Sequence, residues 1–196
     1  MTSHISEEIF DLAFRKARTF NSFTDRPVAI ESLRELYDLL KWGPTSTNQQ
    51  PLRLIWCVSK ESKCKLAECA AGGNAPKILQ APVTTILGMD LDFVNHLPRM
   101  FPHADARSWY GDDPKVRWDS ALRNSSLQAG YFIIAARLLG LDTNPMLGFD
   151  EQALNAAFFP DSNIRVNMVS TLGYGEPSTL YPRAPRFSFE EVNQII

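Results

Sequence analysis

The sequence has few of the residues that form disulfides, metal sites or reactive thiols. The chain has three cysteines, Cys57, Cys64 and Cys69, and they show no C-x-x-C spacing. Such an odd count predicts neither a disulfide framework nor a zinc site. Cys57 lies in an apolar run and is predicted to be a small core residue. The three histidines also lack metal-ligand spacing. We therefore predict no metal site and no catalytic thiol.

Long apolar runs and a strong charge of one sign are also missing. No run approaches the ~20 apolar residues of a membrane span. Residues 1–17 are acidic and amphipathic, unlike a signal peptide. A net charge of −2 and a pI of about 5.9 argue against non-specific binding to nucleic acid. We expect a cytoplasmic protein that has neither nucleic acid nor a membrane as its partner.

What is present is enough for one ordinary domain, which we expect to span residues 1–196. Of the 196 residues, 44% are apolar, and a chain of this length can bury roughly 70% of its unfolded surface. Hydrophobic periodicity predicts helices over 5–17, 30–41, 60–71 and 116–140, a short helix after Asp150, and strands over 52–58, 82–89 and 164–175. Residues 189–196 are expected to form a helix or an arm. This pattern indicates an α+β or α/β class.

The helical patterns also predict which side chains face the core. The first helix gathers Ile5, Ile9, Leu12 and Phe14 near one face, and the second points Leu33, Leu36, Tyr37 and Leu40 inward. Gly140 is expected to end the long helix at its C′ position. Small residues on that helix would let another backbone approach closely, either in a dimer or in a monomeric core.

Residues 90–118 mix aromatic side chains with prolines and charges. The composition suggests an excursion of the chain over a functional site. A packed surface loop explains it about as well.

Two cationic segments have the composition of a phosphate site. Residues 17–23 offer Arg18, Thr19 and Asn21 just after the first helix, and residues 181–187 offer Arg183 and Arg186 between prolines. Guanidinium forks, hydroxyl donors and exposed backbone N–H groups together suit a phosphate. A solvated helix end is the simpler explanation of the first segment alone.

Three further segments carry polar or backbone groups suited to a polar ring. Residues 44–51 concentrate donors and acceptors between two prolines. Asn74 and Lys77 are spaced to share a helical face, and Gly148 lets a ligand approach the backbone. The chain has no G-x-G-x-x-G fingerprint and no P-loop, so any nucleotide is not bound in the Rossmann manner.

These five segments, in this order, resemble the nitroreductase family of FMN-dependent oxidoreductases. The resemblance implies an α+β, three-layer fold with a central mixed sheet flanked by helices, in an intertwined homodimer. It also implies FMN as cofactor, with NADH or NADPH delivering hydride to flavin N5 for transfer to a small-molecule substrate.

The resemblance assigns roles to individual residues. Arg18 and Thr19 would hold the phosphate and ribityl chain, with Arg186 and Arg183 at the same phosphate. Asn21 stands where the family has a cation that faces the pyrimidine ring. A loop that would cover the flavin of the partner chain is matched by Pro44, Thr45, Ser46 and Asn48. The pair at the polar edge of the ring is matched by Asn74 and Lys77. The pair whose backbone lies beside N5 is matched by Leu147 and Gly148.

Within the family, residues 17–21, 44–51 and 144–150 are most similar to the malonic semialdehyde reductase group, which forms 3-hydroxypropanoate in pyrimidine degradation. A substrate with a carboxylate would need a cation, and we expect an arginine of 90–118, or Arg123, to supply it. The alternatives are a broad nitro- or quinone reductase and a non-catalytic flavin-binding protein. No side chain is an obvious general acid, so no catalytic residue is assigned.

Overall fold

A computed structural model describes residues 6–196, and a four-stranded sheet lies at its centre. The strands are β1 (Leu52–Cys57), β2 (Val83–Asp90), β3 (Asp142–Met146) and β4 (Ile164–Gly173). The helices are α1 (Glu7–Phe10), α2 (Ile30–Leu40), α3 (Lys60–Glu68), α4 (Asn74–Gln80), α5 (Leu97–Met100), α6 (Pro114–Leu138), α7 (Glu151–Phe158) and α8 (Phe189–Val192). Within the described part of the chain, no helix is long and apolar enough to cross a membrane.

The sheet has the strand order β1-β2-β4-β3, and all its neighbouring strands are antiparallel. The expectation of a mixed sheet is therefore wrong for this chain. The parallel partner of β3 is reduced to a single bridge between Thr19 and Thr143. In the same segment, the side chains of Phe20 and Phe23 are buried and form a small cluster with Ala81.

Helices cover both faces of the sheet, which confirms the three layers. On one face, α2 and α6 bury Leu36 and Phe132 against the strands. On the other face, α3, α4 and α7 bury Leu66, Ile78 and Leu154. Alternate residues of β1 point to the two faces, as its pleat requires. Cys57 is buried on the face that packs against α3, α4 and α7.

The ends of α6 and α7 form as the sequence predicts. Gly140 follows the C-terminus of α6 with φ 72°, a left-handed conformation that glycine adopts without a steric penalty. Asp150 caps α7 by accepting a hydrogen bond from Ala153 N at 2.9 Å. The prediction that Tyr37 points inward is wrong, since this residue is 49% exposed. It lies at the margin of the stripe that Leu33, Leu36 and Leu40 make on α2.

The predicted first helix is shorter and less buried than expected. It ends at Phe10 and continues as one π-helical turn over Asp11–Arg15. Its apolar side chains Ile9, Leu12 and Phe14 are exposed, because no other element within residues 6–196 covers them. Ile5, assigned to the same face, lies outside the described residues.

Two segments differ from what the local pattern indicates. The sequence pattern does not predict β3, because Pro145 within it and Gly140 just before it are typical of turns. Proline is nonetheless tolerated on an edge strand such as this one. Residues 90–118 form their own small core, in which Phe93, Val94 and Leu97 pack with Ala121 of α6. The excursion is therefore a packed layer and not a bare loop.

Candidate functional site

Arginines from three distant parts of the chain meet in one cleft. The cleft has a volume of about 440 Å³, and Arg18, Arg137, Arg183 and Arg186 line it together with Thr19. Arg18 donates a hydrogen bond to Tyr181 O, and Arg183 donates one to Ala17 O at 3.0 Å. These two bonds cross between the N-terminal and C-terminal segments, so each segment orders the cation of the other.

The side chains that line the cleft carry positive charge, and no carboxylate of residues 6–196 is part of this lining. Arg15, a fifth arginine of the lining, is already paired with Glu7 and Asp11. Among residues 6–196, the hydrogen bonds of the Arg186 side chain go to the backbone oxygens of Ala184 and Pro185. Guanidinium groups that line a cleft together, without a carboxylate in the lining, are suited to an anion with several oxygen atoms, such as a phosphate.

Arg137 is the cation of this cleft that the sequence analysis missed. It lies in the last turn of α6, where a basic residue is expected for the helix dipole alone. Its Nη1 donates to Ala13 O at 2.7 Å, while its Nε is buried without a partner among residues 6–196. Burial lowers the pKa of Arg137; nearby Asp142 opposes that shift and Arg183 adds to it. Burial likewise raises the pKa of Asp142.

Strand β3 connects this cleft to the next group of predicted residues. Thr19 pairs with Thr143 near the start of the strand. The buried side chain of Asn144 donates to Phe20 O at 2.8 Å and to Asn21 Oδ1 at 3.0 Å. Asn21 is thereby oriented with its oxygen toward the strand. Asn144 was missed because a buried asparagine in a strand has no local sequence signal.

At the far end of β3, the structure brings Asn74 and Gly148 into contact. Asn74 Nδ2 donates to Gly148 O at 3.0 Å, and a Cβ on Gly148 would lie 2.6 Å from that nitrogen. Lys77, half-buried, follows on α4, and Leu147 is 71% exposed. Thr143 and Leu147 are four residues apart, or about 13 Å along an extended strand. The arginine cleft and this second group therefore lie at opposite ends of one strand.

The loop of residues 44–51 is held in an unusual conformation. Thr47, Asn48 and Gln50 have φ values of 51°, 49° and 40°, which are costly for side chains with a Cβ. The buried side chain of Gln49 compensates by donating hydrogen bonds to Ser46 O and to Ser120 Oγ. The conformation is thus maintained from beneath by α6.

The same loop is attached to residues 90–118. Asn48 Nδ2 donates to Met100 O at 2.9 Å, and Thr47 Oγ1 lies 2.8 Å from Tyr110 OH. Ser46 N donates to Asn124 Oδ1 of α6 at 2.8 Å. Asn124 precedes Arg137 by 13 residues, a rise of about 20 Å along the helix. Within one chain, the predicted residues Pro44, Thr45, Ser46 and Asn48 are therefore not brought to the arginine cleft.

The cysteines take no part in these groups. Burial raises the pKa of Cys57 to about 11, so this thiol stays protonated at neutral pH. Over residues 6–196, no cluster of three or more His, Cys, Asp or Glu side chains could hold a metal ion.

A profile described as the Nitroreductase family matches residues 14–174, which include β1 to β4 and both ends of β3. The chain belongs to the nitroreductase family. A relative from Stenotrophomonas maltophilia (strain K279a) is 49% identical over 195 residues and covers 100% of both chains. One from Caulobacter sp. (strain K31) is 51% identical over 184 residues, covering 93% of this chain and 94% of its own. Both carry the name "Putative NADH dehydrogenase/NAD(P)H nitroreductase".

The fold of this nitroreductase-family chain is found in solved structures. A crystal structure from Exiguobacterium sibiricum 255-15, described as a "putative nitroreductase in complex with FMN", superposes with a TM-score of 0.85. It covers 100% of both chains at 19% sequence identity. At that identity the likeness establishes the nitroreductase-like fold.

The contact between Asn74 and Gly148 generates a prediction. We expect Gly148→Ala to push the Asn74 amide aside and to destabilise the protein by about 0.5–1.5 kcal/mol, the net value of a lost hydrogen bond. The free energy of unfolding in urea measures the change. In an Asn74→Ala background the same substitution should cost much less, because the obstructing amide is gone. Equal costs in the two backgrounds would contradict this account.

Proposed function

We propose that this chain is an FMN-dependent oxidoreductase that oxidises NADH or NADPH and reduces a small organic substrate. The observation that carries the proposal is the arginine cleft, joined by β3 to the Asn74–Gly148 contact. The names of the relatives and the FMN in the Exiguobacterium structure support it.

The residues present fit the cofactor at both ends of β3. Arg18, Arg183 and Arg186, with the Thr19 hydroxyl, would hold the phosphate. Arg137 has a buried, unpartnered Nε beside them. At the other end, a Cβ at position 148 would lie 2.6 Å from the amide nitrogen of Asn74, so a larger residue there would displace that amide. We propose Asn74 and Lys77 for the polar edge of the ring and Asn21 for its pyrimidine side.

When bound, FMN supplies two-electron hydride exchange between a reduced nicotinamide and an acceptor. The chain's own residues bind and orient. The Asn74 amide is immobilised by its bond to Gly148 O, so its remaining polar groups have a fixed direction. Leu147 is exposed and Gly148 is half-buried beside it, where the reactive part of the ring would lie. No catalytic residue is assigned.

We also propose that the enzyme is a homodimer in which residues 44–51 cover the flavin of the partner chain. The separation of about 20 Å along α6 supports this arrangement, because the loop is remote from the arginine cleft of its own chain. The surface supports it as well. The chain exposes 11,879 Å², whereas a globular monomer of 22.1 kDa is expected to expose about 9,300 Å². Exposed apolar side chains account for part of the excess, including Ile9, Leu12, Phe14, Trp42, Leu127, Phe187 and Phe189.

For the substrate we propose malonic semialdehyde, reduced to 3-hydroxypropanoate. The support is the similarity of residues 17–21, 44–51 and 144–150 to that group of the family. The names of the relatives favour a second candidate, a broad nitroreductase.

The phosphate assignment predicts that the protein purifies yellow, with one FMN per chain. Arg186→Glu should weaken FMN binding by about 1.5–3 kcal/mol or more, because a charge-assisted hydrogen bond is lost. Fluorescence titration of the apoprotein with FMN measures the dissociation constant. Lys60→Glu is the control, since it makes the same charge change at the exposed N-terminus of α3. An unchanged FMN affinity in Arg186→Glu would remove this residue from the site.

The proposed dimer predicts that flavin binding needs two chains. Dilution that produces monomers should release FMN, because each monomer lacks the covering loop of its partner. Size-exclusion chromatography with light scattering gives the mass, and the absorbance of the same peak gives the flavin content. A monomer that retains one FMN would contradict the shared site.

The substrate assignment predicts a preference for an acid-aldehyde. After anaerobic reduction by NADH or NADPH, turnover should follow ping-pong kinetics, because nicotinamide and aldehyde use one face of the cofactor in turn. We expect kcat/KM for malonic semialdehyde to exceed that for propanal, since the carboxylate gains charge-assisted hydrogen bonds. Equal values would reject the acid-aldehyde, and faster turnover of nitroaromatics would favour the second candidate. If neither NADH nor NADPH bleaches the flavin, the result favours the third alternative, a non-catalytic flavin-binding protein.

A further inference from the structure

A second, smaller polar cleft lies beneath the loop of residues 44–51, between α2, α5, α6 and the start of β1. Its volume is about 170 Å³. Its walls combine a short apolar surface from Leu40, Leu52 and Met100 with side chains that can donate hydrogen bonds, namely Tyr37, Gln50, Arg53, His96, Arg99 and Gln128. No carboxylate from the described part of the chain is among its lining residues.

Gln128 is buried and offers an unused donor to this cleft. Its side chain is part of α6, and the residue is 3% exposed. Its Oε1 accepts a hydrogen bond from Leu52 N at 3.0 Å, which fixes the orientation of the amide. The amide nitrogen donates no hydrogen bond within residues 6–196, and it is not among the fully buried atoms there that lack a partner. Because Gln128 lines the cleft, this amide is an available donor for a ligand that accepts hydrogen bonds.

The charge of Arg53 is already compensated inside the protein. Arg53 forms an ion pair with Asp90, which is buried at 7% exposure. It also donates to Gln50 O and Leu52 O, both at 3.0 Å. Asp90 Oδ2 lies 3.5 Å from His96 Nε2 as well. Arg53 and Asp90 therefore form a neutral pair that supports one wall of the cleft.

Arg99 is different, because its guanidinium forms no ion pair or hydrogen bond with any residue in 6–196. It lines the cleft from α5, and it is exposed at the cleft mouth. The other cations of this region are engaged elsewhere or lie outside the cleft. Lys115 pairs with Asp119, and Arg117 pairs with Asp112 and donates to Gly111 O.

We propose that this cleft binds a small organic carboxylate, with Arg99 and Gln128 as its ligands. A carboxylate only accepts hydrogen bonds, and its two oxygens match the guanidinium fork of an arginine. The apolar walls suit a short carbon chain. A volume of about 170 Å³ admits an acid of a few carbons and excludes a nucleotide. The carboxylate site stands on this cleft alone, and only the assignment of the carboxylate to a substrate rests on the proposed function.

Calorimetric titration of the purified, cofactor-loaded protein with propanoate and with propanamide tests the site, in a chloride-free buffer. The two probes have the same shape and differ in charge. We expect propanoate to bind at least about tenfold more tightly. Arg99→Gln should weaken propanoate binding by about tenfold or more, and Arg99→Lys should retain part of the affinity. Arg107→Gln is the matched control, because it removes an exposed arginine of the same segment that does not line the cleft.

Equal binding of the two probes, no heat of binding, or an undiminished propanoate affinity in Arg99→Gln would overturn the proposal. Gln128→Met provides an independent variant, and it should also lower propanoate affinity. Flavin absorbance of the same samples reports the cofactor separately, so a colourless protein would count against the proposed function alone.

The carboxylate could belong to the substrate or to a separate acid, and inhibition kinetics distinguish these sources. The site belongs to the substrate if propanoate competes with malonic semialdehyde and if Arg99→Gln raises the KM for malonic semialdehyde but not the KM for propanal. Non-competitive inhibition by propanoate assigns it to a separate acid that acts as an effector.

Discussion

The burial of α6 against the sheet determines where both polar clefts form. Phe132 and Ala136 of this helix are fully buried between the sheet and α2, which fixes the rotation of the helix about its axis. With that rotation set, Arg137 reaches the arginine cleft, and Gln128 and Asn124 face β1 and the loop of residues 44–51. One hydrophobic contact therefore positions polar groups that lie about 20 Å apart along the helix.

The edge strand β3 serves as the connection between two groups of site residues. An edge position leaves one side of the strand without a ladder partner, and Pro145 is accommodated there. Residues 19–21 use that free side, through the Thr19–Thr143 bridge and the hydrogen bonds of Asn144. Because the strand is extended, its two ends hold the cation cluster and the Asn74–Gly148 contact at a fixed separation.

The loop of residues 44–51 is stabilised by long-range contacts and not by its own sequence. Three of its residues adopt left-handed φ values, which are retained only where the surroundings compensate for the strain. Buried Gln49, Asn124 of α6 and Met100 O of α5 provide the compensating hydrogen bonds. The loop and the layer formed by residues 90–118 thus form one unit, and a change in either should alter the shape of the cleft beneath them.

The sequence by itself determined the features that depend on neighbouring residues. Gly140 ends α6 and Asp150 caps α7, because both effects act within one turn of helix. The arginines, the polar loop and Gly148 stand out by local composition, and their order along the chain was sufficient to identify the family. The tertiary structure alone decided what depends on distant residues. The strand β3, the antiparallel pairing, the exposure of Tyr37 and the roles of Arg137, Asn144 and Gln128 all arise from contacts across more than 20 residues of sequence or from an uncovered face, and no local pattern encodes such contacts.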